Sequence, residues 1–347
     1  MKKIPLRRKK LAKDQSPSRI TNETVAEHRE KVLAGGRKFK YPHQYVRHKL
    51  VFNAIIIGLV TVLLAVLFGW WQLYKVQTTS DFFYRVTSVI PVPVASVDGE
   101  NVRYSDYLLR YRSQELWLQK SGQIGLSQEG DKQQLDFFKR KVLNGLEADM
   151  YAQKLARDLN ITASTEEVQE VIDQSRDTAT GQISQDVYDA STQDTLGYSP
   201  VEYRRIIRQS LLRQKVAYAV DTEAQDIKQQ VESYLAVSKN AQRGFEAAVK
   251  QFKQKGVQLD YGASGSVSKN NRDGGLSRIA VSLKKGETSK PVESTTGDGY
   301  YFVQTISQSD TKVNYQYIRI PLSVFEKKFA ALTTHEYIDI ANISDNQ

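Results

Sequence analysis

LSRIAVSLKKGETSKPVESTTGDGYYFVQTI, residues 276–306, is the stretch on which the architecture turns. It opens with a short helical pattern over 276–283, breaks at Lys285, Gly286 and Glu287, and closes on the strand-like run GYYFVQTI, 299–306. Working outward, 257–265 and 312–321 read as two further strands, in a part of the chain where glycine rises. Residues 223–252 read as helix, in one or two pieces with a break near 238–240. After the strands, 325–343 reads as a helical turn and a last strand at 337–343. Helices followed by antiparallel strands make this region α+β.

Upstream, 94–220 is mostly helical. Residues 94–97 and 101–103 form a hairpin over Asp98 and Gly99. Ser105 is placed to cap a helix running to Lys120. A second helix, 132–159, puts Leu135, Phe138, Val142, Leu146 and Met150 on one stripe, and Asn160 ends it. Ser164 and Glu167 make a capping box for the next helix. Residues 175–197 are polar and turn-rich with some helix. Pro200 then opens a helix to 219, with Val201, Ile206, Ile207, Leu211, Leu212 and Val216 as its apolar positions. This half offers no metal-ligand cluster, no phosphate-cradling glycine loop and no nucleophile–base pair, so neither a metal nor another cofactor is expected.

Before it lies VFNAIIIGLVTVLLAVLFGWW, 51–71, without a charge. At 1.5 Å per residue this makes roughly 30 Å of helix, the thickness of a hydrocarbon core. A cleavable signal would be shorter and followed by small residues; here Phe68, Trp70 and Trp71 stand in that place. The reading is one transmembrane helix. Residues 1–50 hold 15 Lys/Arg against 4 Asp/Glu, while the other 297 hold 34 against 35. By the positive-inside tendency the tail is cytoplasmic and the body extracytoplasmic. The alkaline balance therefore belongs to orientation and lipid contact, and nucleic acid is not an expected partner. The tail has a basic start (Lys2, Lys3 and 7–10) and a helix over 22–33, capped by Asn22 and stopped by Gly35 and Gly36. Past the span, Phe82, Phe83, Val86, Val89 and Ile90 have the spacing of an amphipathic helix lying near the bilayer or against the first domain. Pro91 and Pro93 stop it. The absence of cysteine leaves out disulfides, thiol catalysis and a lipidated N-terminal thiol.

The order of these pieces resembles the SurA, PrsA and PpiD group of exported folding factors, which join a helical chaperone domain to a parvulin-type peptidyl-prolyl isomerase (rotamase) domain. Val94, Ala95, Val97, Asp98, Gly99, Glu100, Val102 and Tyr107 match the opening of the family's helical domain. Residues 199–216 resemble its last helix. Leu283, Lys284, Gly286, Glu287, Ser289, Pro291, Val292, Gly299 and Tyr300 match the parvulin motif. With the anchor in front, the arrangement looks most like PpiD. The domains expected are then a basic tail at 1–49, a transmembrane helix at 50–74 and a neck at 75–93. These are followed by a helical chaperone domain at 94–222, a parvulin-like domain at 223–322 and a C-terminal segment at 323–347.

The departures from the family pattern concern activity. An active parvulin site resembles a paired-histidine network beside an apolar proline pocket. Here Tyr301 stands at one histidine position. The family's first strand is missing between 216 and 232, and its nearest counterpart, YQYIRIPL at 315–322, comes after the last strand with Tyr317 at the other. A circularly permuted sheet or the start of a second, truncated repeat would each give this order. Leu276 stands where the family has a large pocket aromatic. Prolyl isomerisation lowers a barrier of about 18–20 kcal/mol without a covalent step, so no nucleophile is required. The resemblance implies that Leu276, Ile279, Tyr300, Tyr301, Phe302 and Tyr317 hold peptide, with Ile279 and Phe302 also reading as plain core. The implied function is a membrane-anchored chaperone or foldase for unfolded exported polypeptides. The alternatives are an active prolyl isomerase and a docking protein of the envelope or export machinery.

Overall fold

The computed structural model describes residues 21–40, 42–122, 129–178, 181–237 and 241–340. The chain divides into two units, 1–71 and 72–347. The first consists of α1 (Asn22–Lys40) and α2 (Pro42–Trp71). The expected stop at Gly35 and Gly36 is not made: α1 continues to Lys40, because a glycine inside a helix costs only about 1 kcal/mol. Asn22 is the first helical residue, and Thr21 and Thr24 close that end with hydrogen bonds. The basic start of the tail lies outside the described residues. The apolar side chains of α2 are exposed, and the segment Lys49–Val76 is long and apolar enough to cross a membrane.

The second unit opens with a π-helical turn, Gln72–Val76, and α3 (Asp81–Val89). The hairpin β1 (Pro93–Val97) and β2 (Glu100–Arg103) turns over Asp98 and Gly99, at φ 49° and 83°. α4 (Tyr104–Lys120) follows without a loop. Its cap position is therefore Arg103, and Ser105, expected as the cap, is buried in the first turn. α5 (Glu129–Leu159) ends where Asn160 takes φ 55°. The Ser164–Glu167 capping box starts α6 (Thr165–Arg176). The polar stretch forms a small hairpin, β3 (Asp177–Thr178) with β4 (Gly181–Gln182), and then α7 (Gln185–Leu196). A second capping box, Ser199 with Glu202, starts α8 (Pro200–Val220). α9 (Thr222–Val237) and α10 (Ala241–Gln254) follow, and the expected break at 238–240 lies outside the described residues.

Then come β5 (Asp260–Ser268), α11 (Leu276–Ser282), β6 (Val292–Glu293), β7 (Gly299–Gln308), β8 (Lys312–Pro321), α12 (Val324–Ala330) and β9 (Thr334–Glu336). β5 starts three residues later than its composition suggests. Val257 belongs to the end of α10, where its N–H bonds to the Phe252 carbonyl past Gly256 at φ 80°. At the other end a bulge between Ala263 and Ser266 lets pairing resume to Ser268. The last strand lies earlier than 337–343: Thr334 pairs opposite Val97 and Glu336 opposite Ala95, and the Tyr337 N–H adds one more bond to the Val94 carbonyl. Ile338 and Ile340 then turn into the core, and 341–343 lie outside the described residues.

Two cores hold the helical part. Val94, Tyr104, Leu108 and Leu143 enclose one, with Leu135, Val142 and Met150 of the α5 stripe packed against it. Tyr151, Ala152, Val216 and Phe325 form the other, so α12 returns to α5 and α8.

The remaining sheet is antiparallel in the order β5-β8-β7-β6. β8, the last of its strands in the chain, is therefore central, the position a circularly permuted sheet would give it. The junction of α8 and α9 holds no strand, only Asp221, which is 2 % exposed. Its Oδ1 accepts the Ala224 N–H at 3.0 Å, and its Oδ2 accepts those of Ser323 and Val324 at 2.7 and 3.1 Å. The end of β8 thus lies against the start of α9. Strand and helix follow each other in space where the chain does not connect them.

Candidate functional site

Strand periodicity divides the six candidate residues between two faces. Tyr300 and Phe302 of β7 join Ile318 and Ile320 of β8 under α9 and α10, against Val231, Phe245 and Phe252. Tyr301 and Val303 point the other way, into a cluster with Tyr315, Val313 and Leu276. Ile279 and Tyr317 pack at its border and are half-buried. Four of the six, Leu276, Ile279, Tyr301 and Tyr317, are thus brought together, while Tyr300 and Phe302 sit in the opposite core.

Tyr301 and Tyr317, which the resemblance sets at the family's two histidine positions, lie on adjacent strands with ring centroids 5.5 Å apart. Gly262 of β5 pairs opposite Tyr317, and a Cβ there would come within 2.7 Å of the phenol ring. The glycine is what lets that ring lie flat along the sheet. The Tyr301 hydroxyl donates to Asp298 Oδ2 at 2.7 Å, and Arg319 Nη1 donates to the same oxygen at 3.0 Å. Arg319 Nε also reaches Asp260 Oδ2, at 2.9 Å. The Tyr315 hydroxyl donates to Asp273 Oδ2 at 2.7 Å, and the Ser277 N–H donates to Asp273 Oδ1 at 3.0 Å, which fastens the first turn of α11.

Burial alone would raise the Asp298 carboxyl. Hydrogen bonds from Thr296, Tyr301, Ser294 and Arg319 outweigh it and hold the group down at about 2. Burial, then the hydrogen bond to that carboxylate, pushes the Tyr301 phenol well up. Burial and the bond to Asp273 do the same to Tyr315. Both phenols are therefore fixed as neutral donors across the physiological range. No histidine among the described residues is near them: His335 is on β9, opposite Ser96 of β1. What remains is a largely buried aromatic cluster with anchored polar tips, Tyr301 7 % and Tyr315 2 % exposed, which reaches the surface only at the half-buried Ile279 and Tyr317 and holds no acid–base pair among the described residues.

The partners Asp298, Asp273, Arg319 and Gly262 escaped the sequence reading. Arg319 and Asp260 are 59 residues apart, and only the strand pairing joins them. A second feature also escaped it. A cleft of about 600 Å³ opens between α6 and α8 on one side and the loops 269–275 and 293–296 on the other. It is bridged by the Gln214 amide donating to the Ser294 carbonyl at 2.6 Å and by the Tyr218 hydroxyl donating to the Gly299 carbonyl at 2.7 Å.

The family model for the SurA-like N-terminal domain matches residues 44–217, half of the chain. The chain belongs to the SurA-like folding factors. The model for the PPIC-type PPIase domain matches residues 210–298, which gives this SurA-like protein the parvulin-type domain of the SurA, PrsA and PpiD group. That match runs from the end of α8 to the turn before β7 and stops short of the two central strands. No curated protein matches the chain. Membership in this chaperone and PPIase family implies unfolded polypeptide as the ligand class.

Proposed function

We propose that the chain is a membrane-anchored, extracytoplasmic chaperone that holds unfolded exported polypeptides against its helical domain and the tyrosine face of its sheet. The observation that carries this reading is the Tyr301–Tyr317 pair. The resemblance sets the pair at the family's histidine positions; Tyr317 brings it to the surface half-buried beside Ile279, and two phenols lack the histidines' proton chemistry. Anchoring through Lys49–Val76 with the tail inside follows from the span-length apolar helix and the basic residues before it. The helical client-binding domain corresponds to 94–222 and the parvulin-like one to 223–322.

The test is aggregation of an unfolded client in the presence of the full chain in lipid nanodiscs. Suppression near equimolar ratio is expected. Persistent aggregation at several-fold excess of the protein removes the chaperone reading. Crosslinking in cells should trap many clients, whereas one stoichiometric product points to docking on the export machinery.

A second reading, residual prolyl isomerisation, is favoured by the half-buried Ile279 and Tyr317 bordering Leu276 and Tyr301. A desolvated surface of this kind can stabilise the twisted amide without covalent chemistry. A proline-peptide assay decides it: catalysis should fall in Tyr301→Ala, and an uncatalysed rate with the intact chain ends that reading.

A further inference from the structure

We infer that α3 carries a second membrane contact, a lipid-facing stripe that seats the body on the bilayer surface. The inference rests on the anchor reading above and adds a surface to it. α3 is three-sided. One side, Phe83, Tyr84 and Thr87, faces the helical body: Thr87 is 1 % exposed, Phe83 and Tyr84 pack against the main core, and the Tyr84 hydroxyl bonds to Glu202. A polar side carries Asp81, ion-paired to Arg112, with Ser88 and Arg85. The third side is apolar and turned away from the body, with Phe82 67 %, Val89 84 % and Ile90 56 % exposed.

Nine residues do not hold a helix in water by themselves, so α3 is kept by its packed side. The outward stripe adds nothing to that packing. Exposed apolar side chains aligned on a tertiary-fixed helix mark a surface with another use.

The occupant follows from the chain's connectivity. Leu73, two residues beyond the uncharged run, is already a core residue of the second unit at 5 % exposure, and its carbonyl accepts the Tyr104 hydroxyl. Between Val76 and Asp81 lie four residues, a reach of about 18 Å at most. With 51–71 as the span, α3 is tethered within reach of the headgroup region, where a stripe of Phe, Val and Ile partitions into the acyl boundary and Arg85 beside it meets lipid phosphate. Lipid is thus the occupant within reach at all times. A client or a second copy would have to enter this zone.

The test uses the full chain, which has no cysteine of its own, reconstituted in liposomes. Single substitutions Phe82→Cys and Val89→Cys on the stripe, Ser88→Cys on the polar side and Leu59→Cys within the span carry an environment-sensitive fluorophore. Lipids bearing a shallow nitroxide serve as quencher. Labels at 82 and 89 should be quenched at least about twofold more than the label at 88. Equal quenching at 82, 88 and 89, with the Leu59 label strongly quenched by a mid-depth nitroxide, overturns the stripe and leaves the anchor standing. An unquenched Leu59 label overturns the anchor itself, and the inference falls with it. Protection of 82 and 89 that appears only on adding unfolded client, or only at high protein-to-lipid ratio, assigns the stripe to those occupants and overturns it equally.

Discussion

On one face of the four-stranded sheet, Tyr300, Phe302, Ile318 and Ile320 are roofed by two helices, and none is more than 3 % exposed. On the other, Tyr301, Tyr315 and Tyr317 lie under a single seven-residue helix, α11, with Ile279 and Tyr317 left half-buried. Both faces are aromatic, so composition does not separate them. Cover does. The well-covered face spends its side chains on holding the domain together. The thinly covered one ties two of its phenols to rim carboxylates, which fixes those rings while leaving apolar surface at the border.

The sharpest break in this contrast should come from Phe302→Ala. Truncating a fully buried phenylalanine removes about 3–5 kcal/mol of unfolding free energy, read from denaturant titration. Client affinity per folded molecule should stay the same. Tyr317→Ala should do the reverse, costing little stability and weakening client binding. Equal stability losses with unchanged binding would erase the distinction between the faces.

Next in size is Asp221→Ala, which leaves the buried N–H groups of Ala224, Ser323 and Val324 without their acceptor. A loss of about 2–3 kcal/mol is expected. Hydrogen exchange should show faster opening at the β8–α12 corner than in β1.

Gly262→Ala drives a methyl into the Tyr317 ring. It should cost about 1–3 kcal/mol as that ring shifts. Client affinity should move in the direction set by Tyr317→Ala, and a change in stability alone would mean that the ring's position is irrelevant to binding.

The smallest effect lies outside the sheet, where the helical part buries a charge. Glu147 is 3 % exposed and its Oε1 has no hydrogen-bond partner among the described residues. Burial, and then Glu336, push its carboxyl from 4.5 up to about 7, against the pull of Arg140. Between those two values the folded state keeps a proton that the unfolded state has lost. Glu147 therefore costs nothing below pH 4.5 and lowers stability progressively as pH rises through about 7. Glu147→Gln should gain on the order of 1 kcal/mol at pH 8 and almost nothing at pH 5, in thermal melts at the two pH values.

Much of this was legible in the sequence where the signal is local. The Ser164–Glu167 capping box, the Pro200 start of α8, the Asp98–Gly99 turn and the bounds of β8 depend on neighbours a few residues apart, and each is formed. Local signals fail where a neighbouring element overrides them. Ser105 loses the cap because β2 runs directly into α4, and the glycines of α1 do not stop a helix that continues past them. The division of the candidate residues was within reach of period-two reasoning, since adjacent Tyr300, Tyr301 and Phe302 cannot share a face. The carboxylate that fixes the Tyr315 phenol was not, nor was the pairing of Arg319 with Asp260, because no spacing rule links residues so far apart in the chain.

The central position of β8 also bears on the order in which the molecule can be made. β5 and β7 share no pairing with each other; residues 312–321 join them, and β7 has only the two-residue β6 on its other side. During synthesis from the N-terminus, the helical hairpin, α5 and α8 are complete long before that strand emerges. Until then the sheet has two unpaired inner edges, with its aromatic faces open to water. A protein of a folding-factor family thus finishes its own sheet almost last. Any premature stop before residue 312 leaves behind a sticky half-domain rather than a smaller working one.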